Sequence, residues 1–154
     1  MKTHNLMFVA VFTVGCLDLV DPVDPKVGEP LAARCANEDS DPDNEVSFTR
    51  DLLPVFRGET NSVGCSCHNP DDPNPIGVQE SGLDLTVYSQ LRAGGVNSLR
   101  TIVIPGAPCD SVLWQKVSPG PPFGSRMPFN GPPFLDENIR QLISDWIAEG
   151  ARDN

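Results

Sequence analysis

Apolar residues in this chain come in short bursts, separated by polar stretches rich in proline and glycine. Four bursts carry helical spacing. Phe48, Leu52, Val55 and Phe56 follow Ser47, which predicts a Ser47-capped helix kinked at Pro54. V-Y-S-Q-L-R-A over 87–93, after Thr86 and before Gly94-Gly95, predicts a second short helix capped by Thr86. S-V-L-W-Q-K-V over 111–117 predicts a third, opened by Asp110. The last is the clearest: Asp136 caps it, Ile139, Leu142, Ile143, Trp146 and Ile147 form one stripe, and Gly150 stops it. T-I-V-I over 101–104 suits an extended segment, but no pair of runs argues for a sheet. The pattern predicts an all-α domain of roughly four short helices joined by long Pro/Gly-rich loops. So few helices make a poor core unless something large fills the middle.

The first residues read differently. Lys2, an apolar run over 6–14, and then Gly15-Cys16 have the layout of a secretory signal, and the cysteine after a small residue makes it resemble a bacterial lipobox. The run is too short to span a bilayer as a helix. The expectation is a signal over 1–15, a lipid anchor on Cys16, and export to the bacterial cell envelope on the periplasmic side or cell surface. Residues 17–45 carry nine acidic side chains, two basic ones and four prolines with little apolar periodicity, which reads as a solvated tether over 16–45. One compact domain is expected over 46–154.

Charge and residue counts then narrow the chemistry. Without the signal, Lys2 is lost and the formal charge is 10 − 21 = −11. A chain this acidic offers no patch for nucleic acid or an anionic membrane surface. Of two histidines and three methionines, only His68 and Met127 survive beyond residue 16. With Cys16 assigned to lipid, Cys35, Cys65, Cys67 and Cys109 remain, which allow three disulfide connectivities.

V-G-C-S-C-H-N over 63–69 concentrates the candidate ligands. A c-type haem attachment site reads C-x-x-C-H, and this one is a residue short. Its spacing works because residues i and i+3 share a helix face. On a regular α-helix Cys65 and Cys67 would sit about 200° apart, so both reach one haem edge only with local unwinding. Counting back three from Cys67 lands on Gly64. Cys67 therefore offers the sound thioether and His68 the proximal imidazole. Cys65 is an extra thiol: a second thioether, a disulfide partner, or free. Met127 stands in the polar loop S-R-M-P, 59 residues after His68, and is the candidate second axial ligand.

The ordered segments S-F-T-R-D-L-L-P-V-F, C-H, G-L-D-L-T-V-Y-S-Q-L-R-A-G-G, I-V-I-P-G-A-P-C-D-S-V-L-W-Q-K-V, R-M-P and L-D-E-N-I-R-Q-L-I-S-D-W-I-A-E-G-A resemble the planctomycete-type cytochrome c domain. The resemblance implies an all-α cytochrome c fold with covalent haem c, His68 as proximal ligand, Met127 as distal ligand and Cys67 as the second attachment cysteine. The chain departs from the family at the first attachment cysteine, where Gly64 or the shifted Cys65 stands. Cys35 in the tether and Cys109 in a helix-entry loop are most simply paired with each other. Trp146 and Trp114 are expected in the core, Trp146 where the last helix crosses the first, and Arg126 on the surface.

These readings converge on a membrane-anchored monohaem cytochrome that carries single electrons between redox proteins of the envelope, with haem held mainly through Cys67. It is expected to be no enzyme and to take no small-molecule substrate, since one histidine leaves little for acid–base work. The alternative is a haemless envelope lipoprotein with a binding or structural role, in which Cys65 and Cys67 pair with Cys35 and Cys109. A zinc site of Cys65, Cys67, His68 and one distant cysteine is a third arrangement.

Overall fold

The computed structural model describes residues 35–60 and 63–154. The signal over 1–15, the anchor Cys16 and tether residues 17–34 lie outside the described residues. Five α-helices and no strand occur among the described residues: α1 Leu53–Arg57, α2 Ile76–Ser81, α3 Tyr88–Ala93, α4 Val112–Val117 and α5 Glu137–Ala148. The all-α expectation holds, and 3-10 turns and long loops connect the short helices.

The first burst forms as a capped element, with a twist that Pro54 explains. Ser47 Oγ accepts the Arg50 N–H at 3.1 Å, and Ser47 N–H in turn donates to Asp51 Oδ2 at 2.8 Å. Phe48–Leu52 is a wide π-helical turn, with Leu53 N–H reaching back to the Phe48 carbonyl. Pro54 has no N–H to give to that ladder and instead sits in the first turn of α1. Gly58 ends α1 with φ of 70°, a left-handed conformation that glycine adopts without strain.

The second and third caps fall elsewhere than the sequence predicts. Val87 precedes α3 and makes no side-chain cap, while the Thr86 hydroxyl donates to Asp84 Oδ1 at 2.7 Å. Asp110 closes a 3-10 turn, Pro108–Asp110, and Ser111 precedes α4. Thr101 and Ile102 of the T-I-V-I segment end a 3-10 turn, Leu99–Ile102, and Val103 is extended. Helix α2 has no buried residue and no sequence counterpart among the four bursts.

Helix α5 organises the core. Asp136 Oδ1 accepts the Ile139 N–H at 2.9 Å as expected of its cap, and Ile139, Ile143, Trp146 and Ile147 are buried. Trp146 lies 5.7 Å from Phe48 between ring centroids, so the last helix does cross the first element at this ring. Tyr88 meets Phe48 edge-on at 5.5 Å and donates to the Ala151 carbonyl at 2.7 Å. Together these rings join three elements of the chain.

The described tether residues are fastened to α5. Asp145, 2% exposed, accepts from Asp41 N–H at 2.7 Å, Asn44 Nδ2 at 2.9 Å and Gln141 Nε2 at 2.7 Å, which satisfies a carboxylate that burial alone would penalise. Ser40 and Ser144 hydroxyls bond at 2.6 Å, and Glu149 accepts the Val46 N–H. A Cys35–Cys109 disulfide, with Cα atoms 5.8 Å apart, pins the same segment beside α4, as the sequence suggested. No helix among the described residues is long and apolar enough to cross a membrane.

Candidate functional site

The haem-like motif lies directly against the end of α1. Cys65 N–H donates to the Val55 carbonyl at 3.1 Å, and Ser66–His68 then forms a 3-10 turn closed by His68 N–H to the Cys65 carbonyl at 2.9 Å. The α-helical turn assumed for a regular attachment motif is replaced here by this tighter 3-10 turn. Cys65 and Cys67 are both free thiols. Burial pushes the Cys65 thiol up to about 12, and the neighbouring Cys67 adds to the rise. The pairing that a haemless, disulfide-stabilised chain required does not form, because Cys35 and Cys109 take each other. The same bond removes the distant cysteine that a zinc site needed, and no cluster of three or more metal-binding side chains is assembled among the described residues.

His68 is half-buried and oriented by the backbone. Its Nδ1 lies 3.1 Å from the Leu83 carbonyl, which can only accept, so Nδ1 carries the hydrogen and Nε2 keeps its lone pair. Burial pushes the imidazole below its ordinary value; the Leu83 carbonyl opposes that shift, and the charge of Lys116 adds to it. The ring is thereby held in the neutral form that metal ligation requires. The segment from His68 to Leu85 loops back on itself, with Leu85 N–H donating to the His68 carbonyl at 3.0 Å.

Helix α2, unforeseen in the sequence, supports this ring. A Cβ placed on Gly77 would stand 2.8 Å from His68 Cδ2, His68 Cε1 and the Cys67 carbonyl. Only glycine lets α2 approach so closely. Gly77→Ala is therefore expected to displace the imidazole and to destabilise the domain by about 1–3 kcal/mol. Urea unfolding with wild-type protein alongside measures the loss, and an unchanged midpoint would show that the ring does not depend on α2.

Met127 reaches the site from the opposite side of the sequence. Its N–H donates to the Lys116 carbonyl at 2.7 Å, so the end of α4 fixes the loop that carries it. Lys116 Nζ adds bonds to the Phe123 carbonyl at 2.7 Å and the Ser125 carbonyl at 2.5 Å. Arg126, expected on the surface, is half-buried: its Nε donates to the Val117 carbonyl at 3.0 Å and its guanidinium lies 4.2 Å from the Phe134 ring centre. Sequence patterning gave no hint of this set of anchors. The signal that could have found it is the basic pair Lys116 and Arg126 flanking a proline-rich loop.

Between these elements open two adjoining cavities of about 460 and 480 Å³. Each falls within the range of about 300–1,000 Å³ for small-molecule and cofactor sites. Cys65, His68, Glu80, Met127 and Phe129 border both, and Cys67 borders the first. Leu83, Leu85, Ile102, Leu113 and Val117 give the second an apolar wall. The structure thus brings four of the sequence-predicted site residues, Cys65, Cys67, His68 and Met127, to one space. Cys35 and Cys109 lie elsewhere. A third cavity of about 250 Å³, bordered by Trp114 and Arg140, holds none of those four donors; Trp114 is only half-buried and forms part of its wall.

Residues 65–128 match the model of the family Planctomycete cytochrome C. The matched segment opens at Cys65 and closes one residue after Met127, and so spans the four donors. No curated protein and no solved structure matches the chain. Haem c, which the family implies, fits what is built here: a free imidazole nitrogen held by a backbone-bonded ring, a thioether side chain at the same apolar space, thiols beside the imidazole, and a glycine where any side chain would crowd the ring.

Proposed function

We propose that this protein is a monohaem c-type cytochrome that carries single electrons between redox proteins of the cell envelope, tethered to the membrane through a lipid on Cys16. The observation that carries the reading is the convergence of His68 and Met127, the sole histidine and methionine beyond residue 16, on one apolar double cavity. When bound, the haem iron supplies a reversible one-electron change. His68 Nε2 serves as the proximal ligand, oriented by the Leu83 carbonyl. Met127 Sδ, bordering the same space, would be the second ligand, and a thioether there would favour the reduced metal. With His68 and Met127 both as ligands, the bound group would be closed to water and substrate, which would suit a carrier in place of an enzyme.

Cys67, beside His68 in the 3-10 turn, attaches the cofactor covalently. The described part of the acidic segment is fixed to α5 through Asp145 and to Cys109, ahead of α4, by the disulfide. The test is an electrochemical titration of the protein matured in a host that makes c-type cytochromes. A single reversible one-electron wave is expected. Absence of any wave from protein that carries haem would refute electron carrying.

A further inference from the structure

The structure also bears on what the shortened motif does. In the regular spacing the first cysteine would stand at position 64. A Cβ there would lie 2.7 Å from the Val55 carbonyl oxygen and 3.2 Å from Gly58 Cα, both backbone atoms. Neither can yield easily, since Val55 O also accepts the Cys65 N–H and the N–H of Gly58. Position 64 therefore takes no side chain, and the nearest place for a first thiol is residue 65.

The turn that follows compensates for the lost residue. Its i→i+3 bonding advances about 120° per residue in place of about 100°. Two regular steps of that kind place residues about 120° apart around the axis, against about 160° by the shorter way on an α-helix. Cys65 itself departs from helical geometry, with φ of −113° and ψ of 26°. Both thiols border the 460 Å³ cavity together with His68, and Cys65 also borders the second. Neither is bonded to sulfur, and Cys65 is 8% exposed, so it faces the cavity wall and not solvent.

We propose that Cys65 and Cys67 each form a thioether to haem, so that C-S-C-H acts as a compressed two-point attachment site. The inference rests on the haem reading above. In each addition the S–H bond breaks, sulfur bonds to the inner carbon of a vinyl group, and the proton goes to the terminal carbon as the double bond becomes single. No atom leaves and no oxidant is needed, so both additions leave the mass at apoprotein plus one haem.

The test uses the full chain matured in a host that makes c-type cytochromes. Purified wild-type protein is denatured and treated with iodoacetamide, adducts at residues 65 and 67 are mapped by peptide mass, and a pyridine haemochrome spectrum reports residual vinyl groups. The expected result is no adduct at either residue and a spectrum of haem with both vinyls saturated. One adduct at Cys65 with covalent haem and one vinyl remaining would overturn two-point attachment and leave the cytochrome standing. Two adducts and no haem would overturn both readings.

Cys65→Ser is expected to keep covalent haem through Cys67 with the one-vinyl spectrum; a spectrum like wild type overturns the proposal. If that variant gives no holoprotein, the wild-type adduct map decides alone. The double variant Gly64→Cys, Cys65→Ser, which restores the regular spacing, is expected to yield less holoprotein than wild type. An equal or higher yield would overturn the steric argument at position 64.

Discussion

Met127→Ala is expected to lower the reduction potential of the haem-loaded protein by on the order of 0.1 V or more, a fraction of the ~0.8 V that axial-ligand identity covers. The variant should also bind an added ligand such as carbon monoxide when reduced, which the wild type should not. Both effects follow from loss of the thioether sulfur. Met127 is the sole thioether beyond residue 16, and it borders both halves of the cavity that His68 borders. Its backbone is fixed independently of its side chain, by Lys116 through the Met127 N–H and by Arg126 on Val117. The loop should accordingly stay in place, and the change should read as ligand loss and not as unfolding. Redox titration and difference spectra measure it. A potential and ligand affinity equal to wild type would mean that Met127 only fills space, the commoner role of a methionine.

Cys35→Ser is expected to destabilise the domain by about 2–5 kcal/mol, the range for loss of a native disulfide in a small exported domain. The bond closes a separation of 74 residues, so it restricts much of the unfolded chain. In the folded state it holds the segment whose Asp41 and Asn44 satisfy the buried Asp145 carboxylate. Cys109→Ser should give the same loss, and wild type in a reductant should match both. Urea unfolding under the three conditions checks this. Equal midpoints with and without the bond would show that the hydrogen bonds to α5 hold the segment without it.

What the sequence made legible was local. The Asp136 cap, the stripe on α5 and the Ser47 cap are short-range matters of side-chain chemistry and periodicity, and all three are present. Thr86 and Asp110 were plausible caps on the same reasoning, yet nearby turns use them: Thr86 binds Asp84, and Asp110 ends the turn before α4. Helix α2 escaped detection because it buries nothing and follows a proline-rich approach, so it has neither stripe nor cap. Its importance lies in Gly77, whose missing Cβ makes room for His68, and only tertiary contact discloses that.

The candidate site divides in the same way. Its donors were legible because histidine and methionine are so scarce and the C-S-C-H stretch so compact. The reason for the compact spacing was not. It resides in the Val55 carbonyl and Gly58, nine and six residues back along the chain, which meet Gly64 only after α1 has folded. Likewise the partner of His68 Nδ1 is a backbone carbonyl, to which residue identity gives no clue. Arg126 was misplaced because charge alone suggested solvent, whereas Val117 and Phe134 supply an acceptor and an aromatic face.

Whether this protein holds covalent haem on His68 and the adjacent thiols is tested most directly by an absorption spectrum and an intact mass of the purified, matured protein. The account predicts a Soret band, sharp bands on reduction, and a mass higher than the apoprotein by one haem that persists in denaturant. A colourless protein of apoprotein mass would contradict it.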